Sequence, residues 1–199
     1  MHPVNTPWRV LIMQPTVNKA YPGAQGFSLL ELLVTLLIFS ILITIVIPSY
    51  RSFVAKNLQA SEINSVVQHF RLARSLSIAR ETHHVVCPSG DGESCSPSSD
   101  WSQGFILYED SNRNRARDGS EIMHGVHQPG HDVDIDIHAS QGRSAVVYQG
   151  DGRPSGYNLT LTFCDPGNQV PPRAVIVNNV GRVRISETRW NGEPLNCSG

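Results

Sequence analysis

The feature that most constrains this chain is an apolar stretch from Phe27 to Ile47, which starts after Gly26 and stops before Pro48. As a helix its 21 residues are about 31 Å long, which matches the roughly 30 Å hydrocarbon core of a bilayer. A single acid, Glu31, interrupts it. The stretch therefore predicts one membrane-spanning helix. On hydropathy alone, a signal peptide or a generic anchor is the simplest interpretation.

The residues at the amino end of this stretch argue against a secretory signal. Such a signal places its cleavage site after the apolar core, whereas here a glycine precedes the core and a costly acid lies just inside it. This order resembles the class III leader of type IV prepilins and type II secretion pseudopilins. The resemblance implies that a prepilin peptidase cuts after Gly26, that Phe27 is N-methylated, and that Glu31 aligns the subunit with a neighbouring pilin during assembly.

The chain is accordingly expected to have four parts. These are a prepilin leader (1–26), a transmembrane and assembly helix (27–48), an amphipathic continuation of that helix (49–82) and a globular antiparallel β domain (83–199). Basic residues before the apolar stretch favour a cytoplasmic leader, with Met1 and Met13 both compatible as its start. We expect a single-pass inner-membrane protein, its globular domain in the periplasm, that later enters a filament.

Charge is uneven along the chain. The formal net charge is -1, and removal of a leader that carries Arg9 and Lys19 makes it -3. Nothing in this total points to nucleic acid. Acids dominate residues 91–136, however, while arginines outnumber acids in residues 140–192. Such asymmetry describes surfaces and partners rather than the fold.

Four cysteines in an exported domain favour two disulfides over metal or thiol chemistry. Three pairings are possible. Cys87 and Cys95 flank a short Ser-Gly-Asp-Gly loop that is easily closed, which leaves Cys164 to pair with Cys197. Each bond is expected to contribute about 2–4 kcal/mol.

Two periodicities predict the fold after Pro48. Apolar residues recur at helical spacing from Val54 to Leu76, as expected for a stripe packed on a sheet. After Thr82, eight short β-rich runs alternate with turn signals, at 84–87, 104–109, 121–127, 132–138, 144–149, 157–163, 173–178 and 182–187. We predict an α+β fold with a long N-terminal helix packed on antiparallel β-sheets.

Two polar clusters are candidates for metal ligands. Asp110, Asn112, Asn114, Asp118 and Glu121 have calcium-loop spacing, but Arg115 replaces the glycine such loops need and Arg113 and Arg117 add positive charge. A polar hairpin loop is favoured, and the arginines could equally form an anion-binding surface. His124, His127 and His131 lack the defined spacing of a zinc site and are interpreted as surface loop histidines. We predict no metal site, no cofactor and, without a nucleophile–base pattern, no enzyme.

The most suggestive site is Asn178-Asn179-Val180-Gly181-Arg182-Val183-Arg184-Ile185. The sequence predicts a hairpin turn followed by a strand on which Arg182 and Arg184 share one face while Val183 and Ile185 face the core. Two guanidinium groups spaced in this way suit nucleic-acid phosphates, although a solvated strand edge is the simpler interpretation. Arg173, Arg189, Arg143 and Arg153 are weaker candidates for the same surface.

The leader, the Cys87–Cys95 loop followed by Trp101-Ser-Gln-Gly-Phe-Ile-Leu-Tyr-Glu-Asp110, and the late Gly-Arg-Val-Arg resemble the GspH/FimT family of minor pilins and pseudopilins, and FimT in particular. This resemblance implies a minor pilin that binds DNA during natural transformation, with Gly181, Arg182 and Arg184 as contacts and no sequence preference. Expected partners are other major and minor pilins, the prepilin peptidase, the inner membrane before assembly and DNA. The alternatives are a structural minor pilin or type II secretion pseudopilin that primes filament assembly, and a calcium-dependent adhesin or sensor that uses the Asp110–Glu121 loop.

Overall fold

The computed structural model describes residues 26–130, 134–140, 143–156 and 158–197. One helix and eight strands lie in these ranges: α1 (Leu29–Arg80), β1 (His83–Pro88), β2 (Phe105–Asp110), β3 (Met123–His127), β4 (Asp136–Ala139), β5 (Val146–Tyr148), β6 (Leu159–Cys164), β7 (Arg173–Val177) and β8 (Val183–Ser186). The chain divides into a unit that ends at Ile43 and a compact unit from Thr44 onward.

The first part of α1 is apolar on every side. Large side chains from Leu29 to Ile47 are exposed, and the most apolar 18-residue window has a mean hydropathy of 2.8 with no buried residue. A helix that is apolar all round needs lipid or other helices around it. By length and composition α1 can cross a membrane. Pro48 lies inside the helix, where its missing N–H removes one backbone hydrogen bond.

The later part of α1 buries one face. Ile63, Val66, Phe70 and Ala73 are almost completely buried, at the i, i+3, i+7 and i+10 spacing that the sequence predicts. Leu58 and Leu76 are half-buried against the same core. The predicted apolar stripe is therefore the surface on which the sheets pack.

The strands form two four-stranded antiparallel sheets. Sheet A has the order β3-β2-β1-β5, and sheet B has the order β4-β6-β7-β8. Each of the eight runs predicted from the sequence overlaps one strand, with ends that differ by at most four residues. Residues 132 and 133 of the predicted fourth run and residue 157 of the sixth lie outside the described residues. The predicted α+β fold, a long N-terminal helix packed on antiparallel sheets, is confirmed.

The main core lies between α1 and the inner faces of both sheets. Phe70, Trp101, Phe105 and Phe163 are fully buried there, with Phe70 and Trp101 in an edge-to-face contact at 6.0 Å. Such large apolar side chains supply most of the stabilising burial.

Two buried polar side chains on α1 connect it to the sheets. Gln59 donates to the carbonyl oxygens of Phe163 at 3.2 Å and Pro171 at 3.1 Å, on the side of sheet B. Glu62 forms a 2.7 Å hydrogen bond with Nε2 of His127 of sheet A. A buried polar group requires a partner, so these contacts favour one arrangement of helix and sheets.

Two disulfides join Cys87 to Cys95 and Cys164 to Cys197. The pairing favoured by local loop closure is thus confirmed. The second bond holds the last described residue, Cys197, against the end of β6.

Candidate functional site

The turn between β7 and β8 is built by Asn178. Its side-chain oxygen accepts hydrogen bonds from the backbone N–H groups of Val180 at 3.2 Å and Arg182 at 2.8 Å. Its backbone oxygen accepts from the N–H of Gly181 at 2.8 Å. Asparagine commonly organises turns in this way. The predicted hairpin is present, and it holds the backbone of Arg182 in a defined position.

Gly181 satisfies two requirements at once. Its φ of 78° lies in the left-handed region that favours glycine. A Cβ atom at this position would also contact the carbonyl oxygen of Gly152 and lie 3.2 Å from Nε of Arg74. The turn therefore packs closely on the 150–153 segment and on α1, and any larger residue would push these elements apart.

Arginines of α1 and of the turn line one groove. Arg71 and Arg74 lie one helical turn apart and share it with Gly181 and Arg182, in a volume of about 630 Å³. The described lining residues include no acid; the others are Ser75, Ile78 and Val183. Nε of Arg74 is buried and has no hydrogen-bond partner in the described part of the chain. Three guanidinium groups in a groove without carboxylates create a positive potential that suits an anion.

Sequence reasoning missed Arg71 and Arg74. Their spacing placed them together on the helix, but which part of α1 faces the β7–β8 turn depends on tertiary packing. A charged i, i+3 pair beside the apolar stripe was the only available signal.

The strand β8 agrees with the prediction at Arg184 and Val183 but not at Ile185. Arg184 is exposed, opposite Ile176 of β7, and Val183 packs on the core. Ile185 was expected to face the core, and this was wrong because its side chain is 42% exposed. Since β8 is the edge strand of sheet B, the core does not cover its far end.

Arg173 and Arg189 lie at the other end of the hairpin. Arg173 begins β7, and Ala174, its neighbour, pairs with Ser186 at the end of β8. The turn lies about 16 Å away along the strand. These two arginines are therefore separate from the groove that contains Arg182.

Arg153 lies in the segment that packs on Gly181, but it is engaged locally. Its Nη2 atom is 2.6 Å from Oδ2 of Asp151. Hydrogen bonds from the backbone and side chain of Arg153 hold the pKa of Asp151 below its usual range. The carboxylate reduces the positive charge that Arg153 can offer to an anion.

Arg143 belongs to a second basic pocket, of about 530 Å³, which it lines with Arg115 and Arg117. Arg117 donates to the carbonyl oxygen of Glu93 at 3.1 Å, and Arg115 is 3.4 Å from the Ser155 hydroxyl. The anion-binding surface considered for the loop arginines is compatible with this pocket. The structure does not bring Arg143 to the groove of Arg182.

The loop with calcium spacing connects β2 to β3 and uses its acids internally. Asp110 accepts from the backbone N–H groups of Asn114 at 3.0 Å and Arg115 at 3.1 Å. Glu121 accepts from those of Ser111 at 2.9 Å and Asp118 at 3.0 Å. These contacts are those of a self-closed polar hairpin loop.

The interpretation of His124 and His127 as surface loop residues was wrong, and His131 lies outside the described residues. Both histidines are on β3, with side chains only 12% and 19% exposed. Next to them the register of β2 and β3 shifts, since Leu107 pairs with Gly125 but Tyr108 pairs with Met123. This bulge leaves His124 as an extra residue and redirects its side chain.

At the amino end, the described chain begins at Gly26, and α1 begins three residues later. Phe27 is exposed, and Glu31 lies in the first turn, where an acid is favoured by the helix dipole. Cleavage, methylation and the assembly role of Glu31 stay predictions.

No curated protein matches the sequence of this chain. The crystal structure of the minor pilin FimU of Pseudomonas aeruginosa aligns with a TM-score of 0.49 and 14% identity, over 67% of this chain and 92% of FimU. The minor pseudopilin EpsH of the Vibrio cholerae type 2 secretion system aligns with a TM-score of 0.45 and 14% identity, over 63% and 94%.

Two family models match the chain. The prokaryotic N-terminal methylation motif matches residues 22–47, which contain Gly26, Phe27 and Glu31. The type II transport protein GspH model matches residues 62–181, from the buried face of α1 to the β7–β8 turn. Because this second match covers more than half of the sequence, the chain belongs to the GspH family of minor pilins and pseudopilins, structural proteins that associate with other pilins.

Proposed function

We propose that this chain is a minor pilin of a type IV pilus that binds DNA, during natural transformation, through the groove beside the Gly181-Arg182-Val183-Arg184 turn. The observation that carries the proposal is the meeting of Arg71, Arg74 and Arg182 in one groove. Membership of the GspH family supports entry into a filament but gives no information about DNA binding.

The charge distribution favours a phosphate ligand. Three guanidinium groups line the groove, Ser75 adds a hydroxyl, and Arg184 is an exposed arginine of β8 two residues after Arg182. Guanidinium groups bind phosphate oxygens in pairs of hydrogen bonds and do not lose their charge. Contacts of this kind read the backbone and not the bases, so binding is expected to be independent of sequence.

The rigidity of the turn lowers the cost of binding. The hydrogen bonds of Asn178 fix the backbone of Arg182, and Gly181 is in close contact with the 150–153 segment. Fewer groups therefore have to be ordered when the ligand binds. The mature chain is net acidic and offers about four contacts, so the affinity of one subunit is expected to be weak, with a Kd in the micromolar range or above at physiological salt.

Assembly is the other half of the proposal. Cleavage by a prepilin peptidase after Gly26 and N-methylation of Phe27 would prepare the helix for the filament, and Glu31 would align it with a neighbour. Before assembly the apolar helix would anchor the chain in the inner membrane with the globular domain in the periplasm. The methylation motif at residues 22–47 supports these steps.

The test is fluorescence anisotropy of labelled double- and single-stranded DNA with the full chain in neutral detergent, at two salt concentrations. We expect weak binding whose logarithm falls with the logarithm of salt, with a slope of about -0.9 per phosphate contact on duplex DNA. The double variant Arg182→Gln, Arg184→Gln should weaken binding about tenfold or more and reduce the slope by about two.

A matched control removes the same charge elsewhere. Arg113→Gln combined with Arg189→Gln alters two exposed arginines outside the groove and should bind nearly as the parent chain does. If both double variants lose binding equally, net charge and not the groove is responsible. If the parent chain shows no salt-dependent binding, the proposal fails, and a structural minor pilin or type II secretion pseudopilin that primes assembly is the better description.

A further inference from the structure

Three side chains from neighbouring strands of sheet A converge on one point beneath the end of α1. They are His84 of β1, Glu109 of β2 and His124 of β3, and their possible ligand atoms all lie within 4.8 Å of one another. Oε2 of Glu109 is 4.0 Å from Nε2 of His84 and 3.7 Å from Nε2 of His124. These three residues are called the His84 cluster below.

The register of the sheet explains how the cluster forms. His84 and Glu109 are direct cross-strand partners, so their side chains lie on the same face. His124 reaches that face because it is the extra residue of the β2–β3 bulge. Bulges commonly redirect a side chain beside a functional site.

Three ring nitrogens of the cluster, both of His84 and Nε2 of His124, have no hydrogen-bond partner in the described part of the chain. The side chain of His84 is fully buried, and neither of its nitrogens has a hydrogen-bond partner in the described part of the chain. The same holds for Nε2 of His124, which points at the same carboxylate. A buried polar atom without a partner costs free energy, and in native proteins such an atom calls for an explanation.

We propose that the His84 cluster binds one divalent transition-metal ion, with Zn²⁺ as the best fit. Two imidazole nitrogens and one carboxylate oxygen form a donor set that zinc prefers, with the fourth position left to water. Zinc–ligand bonds of about 2.0–2.2 Å place tetrahedral ligand atoms about 3.3 Å apart, so the three groups must close in by roughly 1.5 Å or less. Bound metal would link three adjacent strands.

Arg80 competes with a metal ion for the carboxylate of Glu109. Its Nη1 atom is 3.0 Å from Oε2 of Glu109, the same oxygen that faces both histidines. The side chain of Arg80 is 45% exposed and ends α1, so it can turn away into solvent. A guanidinium group and a dication repel each other, and removal of Arg80 should therefore tighten metal binding.

The experiment uses the full chain in neutral detergent, purified without a polyhistidine tag and treated with a chelator. Zn²⁺ is titrated by calorimetry, and Co²⁺ is titrated by visible absorption, which reports ligand geometry. We expect one equivalent to bind and to raise the Tm, because a ligand specific for the native state stabilises it. Glu109→Gln and His124→Gln should each weaken binding by about tenfold or more.

Two further variants make the outcome specific. His83→Gln changes the residue beside His84, which is not part of the cluster, and should leave the affinity unchanged. Arg80→Gln should strengthen binding several-fold. The proposal is overturned if micromolar Zn²⁺ does not bind the parent chain, if His124→Gln binds as tightly as the parent, or if His83→Gln loses as much affinity as the cluster variants.

Discussion

Two histidine–carboxylate groups lie where α1 meets sheet A, and their surroundings differ. In the first, Glu62 of the helix is 2.7 Å from Nε2 of His127, a hydrogen-bond distance, and the ring of His127 stacks on Phe105 at 4.8 Å. Phe105 is also in an edge-to-face contact with His69, at 4.9 Å. In the His84 cluster the corresponding distances are 3.7–4.0 Å, and nitrogens remain unpaired.

The difference distinguishes a histidine–carboxylate contact that stabilises the fold from one that can still bind a ligand. The first group has exchanged its hydration for hydrogen bonds and ring packing, so it joins helix to sheet without needing a ligand. The His84 cluster is also shielded from water, but three of its ring nitrogens form no hydrogen bond in the described part of the chain. The same residue types therefore imply opposite roles.

The largest effect should come from Phe105→Ala, which removes the ring that holds the first group together. Phe105 is fully buried, and we expect the free energy of unfolding to fall by about 3–5 kcal/mol. Urea unfolding of the full chain in detergent, followed by tryptophan fluorescence, measures this. Ile185→Ala, at an exposed apolar position, should cost about 0.5 kcal/mol or less and serves as the control. A loss below about 1 kcal/mol for Phe105→Ala would contradict the described packing.

The next effect compares the two carboxylates directly, with metal removed by a chelator. Glu62→Ala leaves a half-buried imidazole without its partner, and we expect a loss of about 1–3 kcal/mol. Glu109→Ala breaks the Arg80 pair, which is partly exposed, and should cost about 1 kcal/mol or less. Equal losses would mean that the two groups do not differ as described. With Zn²⁺ present, only the Glu109 variant should lose additional stability relative to the parent chain.

Much of the fold could be predicted from local pattern. The apolar stripe from Val54 to Leu76, the β-rich runs and the short Cys87–Cys95 loop depend on periodicity and on nearby residues. Ile185 shows the limit of that reasoning, because alternation marks the inward face of a strand but not how far the core extends. How far the core covers a strand depends on the position of that strand in the sheet, and this position is set by pairing with residues distant in sequence.

The sites were harder to predict for the same reason. The Gly-Arg-Val-Arg turn was visible because its residues are contiguous. Arg71 and Arg74 join it only through tertiary packing. His84 and His124 are forty residues apart in sequence and meet only because of strand register and a bulge at one position. No spacing rule for zinc ligands covers such an arrangement.

The smallest effect concerns pH and tests how deeply the first group is buried. Burial lowers the pKa of His69 from its usual 6.5, opposed by its hydrogen bond to the carbonyl oxygen of Ser65 and assisted by His127. Well above pH 6.5 the residue is neutral in both states and contributes no pH dependence. As the pH falls below 6.5, the unfolded chain takes up a proton before the native chain does, so stability falls with a slope of at most about 1.4 kcal/mol per pH unit.

Urea unfolding between pH 7.5 and 5.5, with a chelator present, should therefore show a steeper loss of stability in the parent chain than in His69→Gln. His138→Gln, on sheet B, is the matched histidine control and should retain the parent slope. An unchanged slope in His69→Gln would mean that His69 is hydrated and that the Phe105 packing is looser than described. A reduced slope would show that His69 is buried beside Phe105 and His127, as the packing of the first group requires.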